Sequence, residues 1–118
     1  MISEAALLSR FCPVEVVLQQ LRFLSVLREL PNIKLAVLPS TAALPKIPLN
    51  SFIVFDSSMV WIETSGGMLT LTDDRDIRLH QESFESYLGE SLTREGARSF
   101  ILGCVHRLSD LDGDKALK

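Results

Sequence analysis

The stretch from residue 32 to residue 73 constrains the fold more than any other part of the chain. An apolar run over residues 33–38 is followed by a proline-punctuated loop and then by two apolar runs joined through Ser65, Gly66 and Gly67. Glycine reaches the positive φ angles that tight hairpin turns need. Residues 68–72 then alternate apolar and polar side chains, as is typical of a half-exposed strand. The stretch therefore predicts a β-sheet.

Four strands are predicted within this stretch. The first, over residues 33–38, is mostly apolar on both faces and is therefore expected at a central position of the sheet. Residues 52–56 and 59–64 are rich in β-branched and aromatic side chains, and the short Ser57-Ser58 connection makes them an antiparallel hairpin. With residues 68–72 they form a meander, so the predicted sheet is four-stranded and mostly antiparallel.

Helices are predicted before and after the sheet along the chain. A short helix capped by Ser3 is followed by a longer one that begins at Pro13 and ends near Leu30. Two more helices begin near Asp73 and Thr93, where capping residues are followed by carboxylates that suit a helix start. The fold class is therefore α+β, with one or two helices before the four-stranded sheet and two helices after it.

The helices have one apolar face each, which indicates a common core. Their inward positions are Val14, Val17, Leu18, Leu21, Leu24 and Leu27 in the second helix and Ala97, Phe100, Ile101, Cys104 and Leu108 in the last. A chain of 118 residues fits a single core. We expect one α+β regulatory or interaction domain over residues 1–111, followed by a frayed tail over residues 112–118, whose charged residues and Gly113 offer nothing to bury.

The composition of the chain argues against nucleic acid and membranes as partners. The formal net charge is -3 and Lys and Arg are dispersed, so this chain alone is not expected to bind nucleic acid. It has no secretory leader pattern and no apolar run of the roughly 18 residues that a membrane span needs, so no membrane association is expected.

Cys12 and Cys104 lie in apolar surroundings and are expected as buried, reduced thiols of a cytoplasmic protein. The mean hydropathy of +0.23 is high for a small chain, which predicts an apolar interface and a homodimer.

Catalytic and metal-binding patterns are weak. His80 lies beside the apolar face of its predicted helix, where a partly buried histidine satisfied by a backbone or carboxylate group is favoured over a catalytic base. The acidic run at residues 73–76 favours helix capping over calcium binding, because the glycine and the terminal glutamate of a calcium loop are missing from the sequence. No nucleophile is spaced to meet a base. We therefore expect no enzyme activity, no metal and no cofactor.

The loop over residues 39–50 is the first candidate for contact with a ligand or a partner. Prolines punctuate it and remove backbone donors, so it is a semi-rigid excursion and not a strand. Its candidate contact residues are Pro39, Leu44, Pro45 and Ile47, and His80 is a further candidate. The alternative interpretation of this loop is a plain surface crossover between strands.

Glu63 is the second candidate, because it follows Met59 and Trp61 on the same face of a predicted strand. If that face is covered, Glu63 must be hydrogen-bonded or paired, since an isolated buried carboxylate is costly. If the face is open, Trp61 and Glu63 form an amphipathic patch suited to a basic or amine-bearing partner. An ordinary outward glutamate at a sheet edge is the third interpretation.

The order of these segments resembles a known family. Residues 4–7, 17–21, 31–39, 52–55, 60–63 and 92–101 look like the C-terminal regulatory domain of WhiJ-like helix-turn-helix transcriptional regulators. The most specific motifs are the strand that ends in Pro39 and the Val60-Trp61-Ile62-Glu63 strand, whose family counterpart usually reads Val-Tyr-Val-Glu. The resemblance covers residues 2–108.

The resemblance implies an accessory, antitoxin-like domain that senses a small-molecule effector or binds a small partner protein, and passes the result to an attached DNA-binding part. The helix-turn-helix part itself has no counterpart in this sequence. The loop after Pro39 departs from the family, which tends to place glycines where this chain has Pro45 and Pro48. We expect a regulatory ligand- or partner-binding domain of a transcriptional regulator, and the alternative is a stand-alone homo-oligomeric interaction or scaffolding protein.

Overall fold

The computed structural model describes residues 1–27 and 29–116, and among these the side chains as far as Gly113. The helices are α1 (Glu4–Leu8), α2 (Val14–Leu27), α3 (Asp74–Gly89) and α4 (Arg94–Ala116). The strands are β1 (Ile2–Ser3), β2 (Ala36–Leu38), β3 (Phe52–Phe55), β4 (Met59–Thr64), β5 (Gly67–Leu71) and β6 (Leu92–Thr93). The predicted α+β class is confirmed.

Internal contacts divide the chain into two compact units. The first unit contains residues 1–42 and 91–118, and the second contains residues 43–90. The first unit therefore holds α1, α2 and α4 with β1, β2 and β6, whereas the second holds α3 with β3, β4 and β5. The single domain expected over residues 1–111 stays a prediction.

The sheet arrangement differs from the predicted one. Across the described residues the strands form two three-stranded sheets, with the orders β1-β2-β6 and β3-β4-β5, and not one four-stranded sheet. The strand β2 pairs with β1 in parallel and with β6 in antiparallel orientation, so that Val37 stands opposite both Ile2 and Leu92. The prediction failed because β1 and β6 have two residues each, too few to show a period of two in the sequence.

The meander of the second unit is confirmed. β4 pairs antiparallel with β3 on one side and with β5 on the other. At the turn into β5, Gly67 has a φ of 145°, and the Thr64 hydroxyl donates to the Gly67 carbonyl oxygen at 2.7 Å. Asp56 starts the turn between β3 and β4 in the left-handed region, with a φ of 50°, which aspartate tolerates better than most residues. The Gln81 side chain of α3 donates to the Asp56 carbonyl oxygen at 2.8 Å and so fastens the helix to this hairpin.

Three helices and β2 form the core of the first unit. Its buried side chains are Leu7, Val14, Val17, Leu21, Val37, Ala97, Ile101, Cys104, Val105 and Leu108. The predicted inward faces of α2 and α4 are therefore largely confirmed, and Leu18, Leu24 and Phe100 pack against this core while partly buried. Burial also raises the pKa of the Cys104 thiol.

Glu4 joins three segments of the first unit. Its Oε1 atom accepts a hydrogen bond from the Ser40 backbone N–H at 2.9 Å, and its Oε2 atom lies 3.5 Å from Nη1 of Arg107. Ser40 follows β2 and Arg107 lies on α4, so one carboxylate at the start of α1 connects both. The Glu4 side chain is 18% exposed, whereas that of Arg107 is 62% exposed, so solvent screens the cationic side of this pair.

The exposure of Cys12 and the end of α4 bear on two of the expectations. Cys12 is exposed, so its expected burial was wrong. It lies in the connection between α1 and α2 next to Phe11, which is itself 95% exposed. The helix α4 runs to Ala116 because no proline interrupts it, and residues 117 and 118 lie outside the described residues. Fraying of residues 112–118 stays a prediction.

Replacing Ile101 by Ala is expected to lower the free energy of unfolding by about 2–5 kcal/mol, because the substitution leaves a cavity at a fully buried core position. Leu102→Ala is the matched control one position along α4, where the side chain is 36% exposed, and it should cost about 1 kcal/mol or less. Denaturant unfolding followed by circular dichroism measures both losses. Equal losses would contradict this placement of the core.

Candidate functional site

The central strand of the second unit separates two surfaces. β4 is paired on both sides, and its alternate side chains point to opposite faces of the sheet. Phe52 stands opposite Ile62 and contacts the His80 ring of α3, so this face of the sheet looks toward α3. Val60 lies on the same face and is fully buried. Trp61 therefore lies on the other face, which is called the outer face below.

The outer face carries a mostly apolar surface. Its side chains are those of Ile53, Phe55, Met59, Trp61, Glu63, Met68 and Thr70, and together they are called the outer patch. Phe55 and Trp61 meet edge to face with ring centroids 4.8 Å apart, a favourable aromatic geometry. Ile53 and Met68 flank this pair and are 54% and 55% exposed. Apolar side chains gathered on one exposed face are typical of a binding surface.

Glu63 lies at the exposed end of the outer patch. Its side chain is exposed, which excludes the covered face, and its strand is the central one of the sheet and not an edge. Met68 of β5 stands directly opposite Glu63, and Trp61, which is half-buried, precedes Glu63 by two residues on the same face. Recognition of a basic or amine-bearing partner by Trp61 and Glu63 stays a prediction.

The second unit is acidic. Residues 43–90 contain eight acidic and three basic side chains, which gives a formal charge of -5. The basic residues are Lys46, Arg75 and Arg78, and all three lie outside residues 52–71, which form the strands and their turns. Asp56 and Glu63 lie inside that range. The strands of the outer patch therefore offer carboxylates and no cation of their own.

A cavity of about 190 Å³ lies within the second unit, on the side of the sheet that faces α3. Its apolar lining consists of Ile47, Pro48, Leu49, Phe52 and Ile62, and its polar lining consists of Lys46, Asn50, His80, Ser83 and Tyr87. His80, Ser83 and Tyr87 recur at three- and four-residue steps and so share one face of α3. The helix supplies most of the polar wall, whereas the loop and the strands supply the apolar one.

His80 already uses one of its ring nitrogens. Nδ1 lies 2.8 Å from the Asp76 carbonyl oxygen, and a carbonyl oxygen can only accept a hydrogen bond. Nδ1 therefore carries a proton, and Nε2 of the neutral ring is an acceptor. The ring also meets Phe52 edge to face, with centroids 5.2 Å apart. The predicted satisfaction of His80 by a backbone group is confirmed.

The residues predicted from the sequence do not form one site. Trp61 and Glu63 lie on the outer patch. Ile47 and His80 come together in the cavity, beneath the opposite face of the same sheet. The second unit thus presents two separate candidate surfaces, one with Trp61 and Glu63 and one with Ile47 and His80.

The remaining loop residues lie elsewhere. Leu44 is half-buried and Pro45 is exposed, and both precede the cavity-lining part of the loop. Pro39 belongs to the first unit, where its carbonyl oxygen accepts a hydrogen bond from the Ala42 N–H at 3.1 Å in a turn. Whether these three residues contact a ligand or partner stays a prediction.

Sequence reasoning missed the outer-patch residues contributed by β3 and β5. Alternation within one strand says which of its residues share a face, but only the pairing register says which face of a neighbouring strand is the same one. The connections between the strands carried only part of this signal, because turn length sets hairpin register. Two-residue turns at Ser57-Ser58 and Gly66-Gly67 would pair residue 56 with 59 and residue 65 with 68. The observed register pairs residue 55 with 59 and residue 64 with 67, so both turns differ from those that the sequence indicated.

Two further features are missing from the described part of the chain. Among the described side chains, those of residues 1–27 and 29–113, no three from His, Cys, Asp or Glu converge as ligands for a metal ion. Over the same residues, no helix combines the length and the apolarity that crossing a bilayer requires. The expected lack of metal, cofactor and enzyme activity stays a prediction.

Comparison with known protein families gives a match over most of the chain. The family model described as "Domain of unknown function (DUF5753)" matches residues 1–103. The matched segment includes the outer patch, the cavity and the core of the first unit as far as Ile101. No curated protein and no solved structure matches the chain.

We expect neutral His80 to be held in the Nδ1–H tautomer, because the Asp76 carbonyl oxygen accepts the Nδ1 proton. Long-range proton–nitrogen correlation spectra at alkaline pH report which ring nitrogen lacks a proton. His106, which is exposed on α4, provides the comparison ring in the same sample. An unprotonated Nδ1 signal from His80 would show that this hydrogen bond is not formed in solution.

Proposed function

The chain belongs to the DUF5753 family, and from this premise we propose that it is a regulatory binding domain of a WhiJ-like helix-turn-helix transcriptional regulator. Its task is to bind a small partner protein and to convey that binding to the part of the regulator that reads DNA. The observation that carries the proposal is the outer patch. It has a half-buried aromatic pair at its centre, exposed apolar side chains on the flanking strands and an exposed carboxylate at its end.

The chemistry of the outer patch favours a partner segment that is basic and partly apolar. A Lys or Arg side chain over the Trp61 ring gains a cation–π interaction. Glu63 lies two residues along the same strand, about 6–7 Å away, within reach of the same cation or its neighbour. The formal charge of -5 on the second unit attracts such a segment and repels an acidic one.

The apolar members of the outer patch supply the area that a complex would bury. Ile53 and Met68 are each more than half exposed, and they lie on the strands to either side of Trp61. Covering them removes apolar surface from water, which is the main driving force of association. Tryptophan in such a setting is a common hot spot of binding energy.

Regulation in this proposal works by a shift in populations. A partner that binds one arrangement of the regulator better than another biases the equilibrium toward the first. The size of the bias equals the difference between the two binding free energies and cannot exceed it. The domain therefore needs binding and no turnover.

The double substitution Trp61→Ala with Glu63→Ala is expected to weaken partner binding about 10-fold or more, because it removes the aromatic ring and the carboxylate together. Proteins retained by the immobilised wild-type chain from an extract of its native cells are identified by mass spectrometry. The basic protein recovered is then purified and titrated against wild type and variant by calorimetry.

Leu79→Ala with Glu82→Ala is the matched control. It removes one apolar side chain and one exposed glutamate of the second unit, as the test variant does, but from α3 and not from the outer patch. This control should bind the partner as wild type does. Equal affinity of wild type and the Trp61/Glu63 variant, or an acidic partner, would refute the assignment.

A second candidate function is a stand-alone homo-oligomer with an interaction or scaffolding role. It is favoured by an apolar stripe on the outward side of α2, where Val16, Phe23 and Val26 are about half exposed. Phe11 is exposed close by in sequence, and it lines a groove of about 250 Å³ with Val16. A projecting aromatic side chain and a groove in one region are what a two-fold, self-complementary contact requires.

For this second candidate, Phe23→Glu is expected to abolish a concentration-dependent dimer, because it places a carboxylate in the middle of the apolar stripe. Sedimentation equilibrium measures the association of wild type and variant. Arg22→Gln is the control, since it makes the net charge more negative by the same single unit at an exposed neighbouring position. A wild-type chain that stays monomeric at high concentration excludes the candidate.

A further inference from the structure

We propose that the cavity of the second unit binds small organic monocarboxylates, that is, molecules with one anionic group and a compact apolar body. The cavity and the outer patch lie on opposite faces of one sheet and share no side chain. The inference therefore goes beyond the proposed partner surface and does not depend on it.

The charge of the cavity lining points to an anion. Among its lining residues, all of which are described, Lys46 is a cation and none is Asp or Glu. This is notable in a unit that carries eight acidic and three basic side chains, because most of its surface repels anions. Asn50 also lines the cavity and adds an amide that can donate a hydrogen bond. A carboxylate therefore fits here better than an amine does.

The size and the walls of the cavity limit the rest of the ligand. A volume of about 190 Å³ is smaller than the roughly 300–1,000 Å³ of pockets that hold drug-sized molecules. A short aliphatic or single-ring acid is therefore the appropriate class. Ile47 and Leu49 are 80% and 85% exposed, and a ligand that covers them takes apolar surface out of water.

Part of the cavity wall is fixed before any ligand binds. In the loop, Pro45 and Pro48 restrict the backbone at their own positions. On α3, the His80 ring is bonded to the Asp76 carbonyl oxygen, and the Ser83 hydroxyl donates to the Leu79 carbonyl oxygen at 2.9 Å. Walls that are already ordered lose little conformational freedom when a ligand enters, which favours binding.

Hexanoate and its neutral analogue hexanamide are the probes that test this inference. Each is titrated into the isotopically labelled full chain while the methyl signals of Ile47 and Ile62 and the ring signals of His80 are followed by nuclear magnetic resonance. We expect saturable shifts of all three residues with hexanoate, and binding of hexanamide that is at least about 3-fold weaker because it lacks the charge.

Lys46→Met isolates the role of the ammonium group, and Lys34→Met is its control because it removes another exposed lysine, from the first unit. The Lys46 variant should bind hexanoate about 3- to 10-fold more weakly and hexanamide as before, whereas the Lys34 variant should bind both as wild type does. Trp61→Ala with Glu63→Ala should leave hexanoate binding unchanged. A failure of carboxylate binding in the cavity is thereby distinguished from a failure of partner binding at the outer patch. No saturable shift at Ile47, Ile62 and His80, or equal hexanoate binding by both lysine variants, would overturn the inference.

Discussion

The second unit depends on the pairing of β4 with a strand on each side. Because β4 is hydrogen-bonded along both edges, its register is fixed, and so is the face on which every one of its side chains lies. Val60 and Ile62 must face α3, and Met59, Trp61 and Glu63 must face away from it. A slip of one residue would bury the carboxylate and expose Val60, which is fully buried here. The core of the unit therefore selects the residues that it presents to solvent.

The same pairing makes the two candidate surfaces near neighbours in sequence but separate in space. Trp61 belongs to the outer patch and Ile62 to the cavity, and a single peptide bond joins them. A ligand bound on one face and a partner bound on the other would therefore contact the same strand, β4. Any coupling between the two would pass through the sheet, and by linkage it would act equally in both directions. Coupling of this kind would suit a domain that is proposed to bind a partner and to convey that binding to the DNA-reading part of a regulator.

The first unit contributes a different kind of surface. Its core is closed by α1, α2, α4 and β2, and Glu4 adds polar links from α1 to α4 and to the turn after β2. Yet α2 is apolar on its outward side as well, where Phe23 is exposed. The family match over residues 1–103 includes residues of both units.

The sequence alone determined the helices, the meander, the capping residues and the pair Trp61 and Glu63 on one face, because these features depend on periodicities and turn residues within about 20 positions. Ser3 and Asp73 cap their helices as expected, and the inward residues of α2 and α4 are largely those that the spacing indicated. Tertiary structure decided that β2 joins two-residue strands far away in the chain, that the predicted contact residues divide between two faces, and that Cys12 is exposed. These outcomes depend on contacts between distant segments, whose free energies come from burial and pairing and leave no local pattern in the chain.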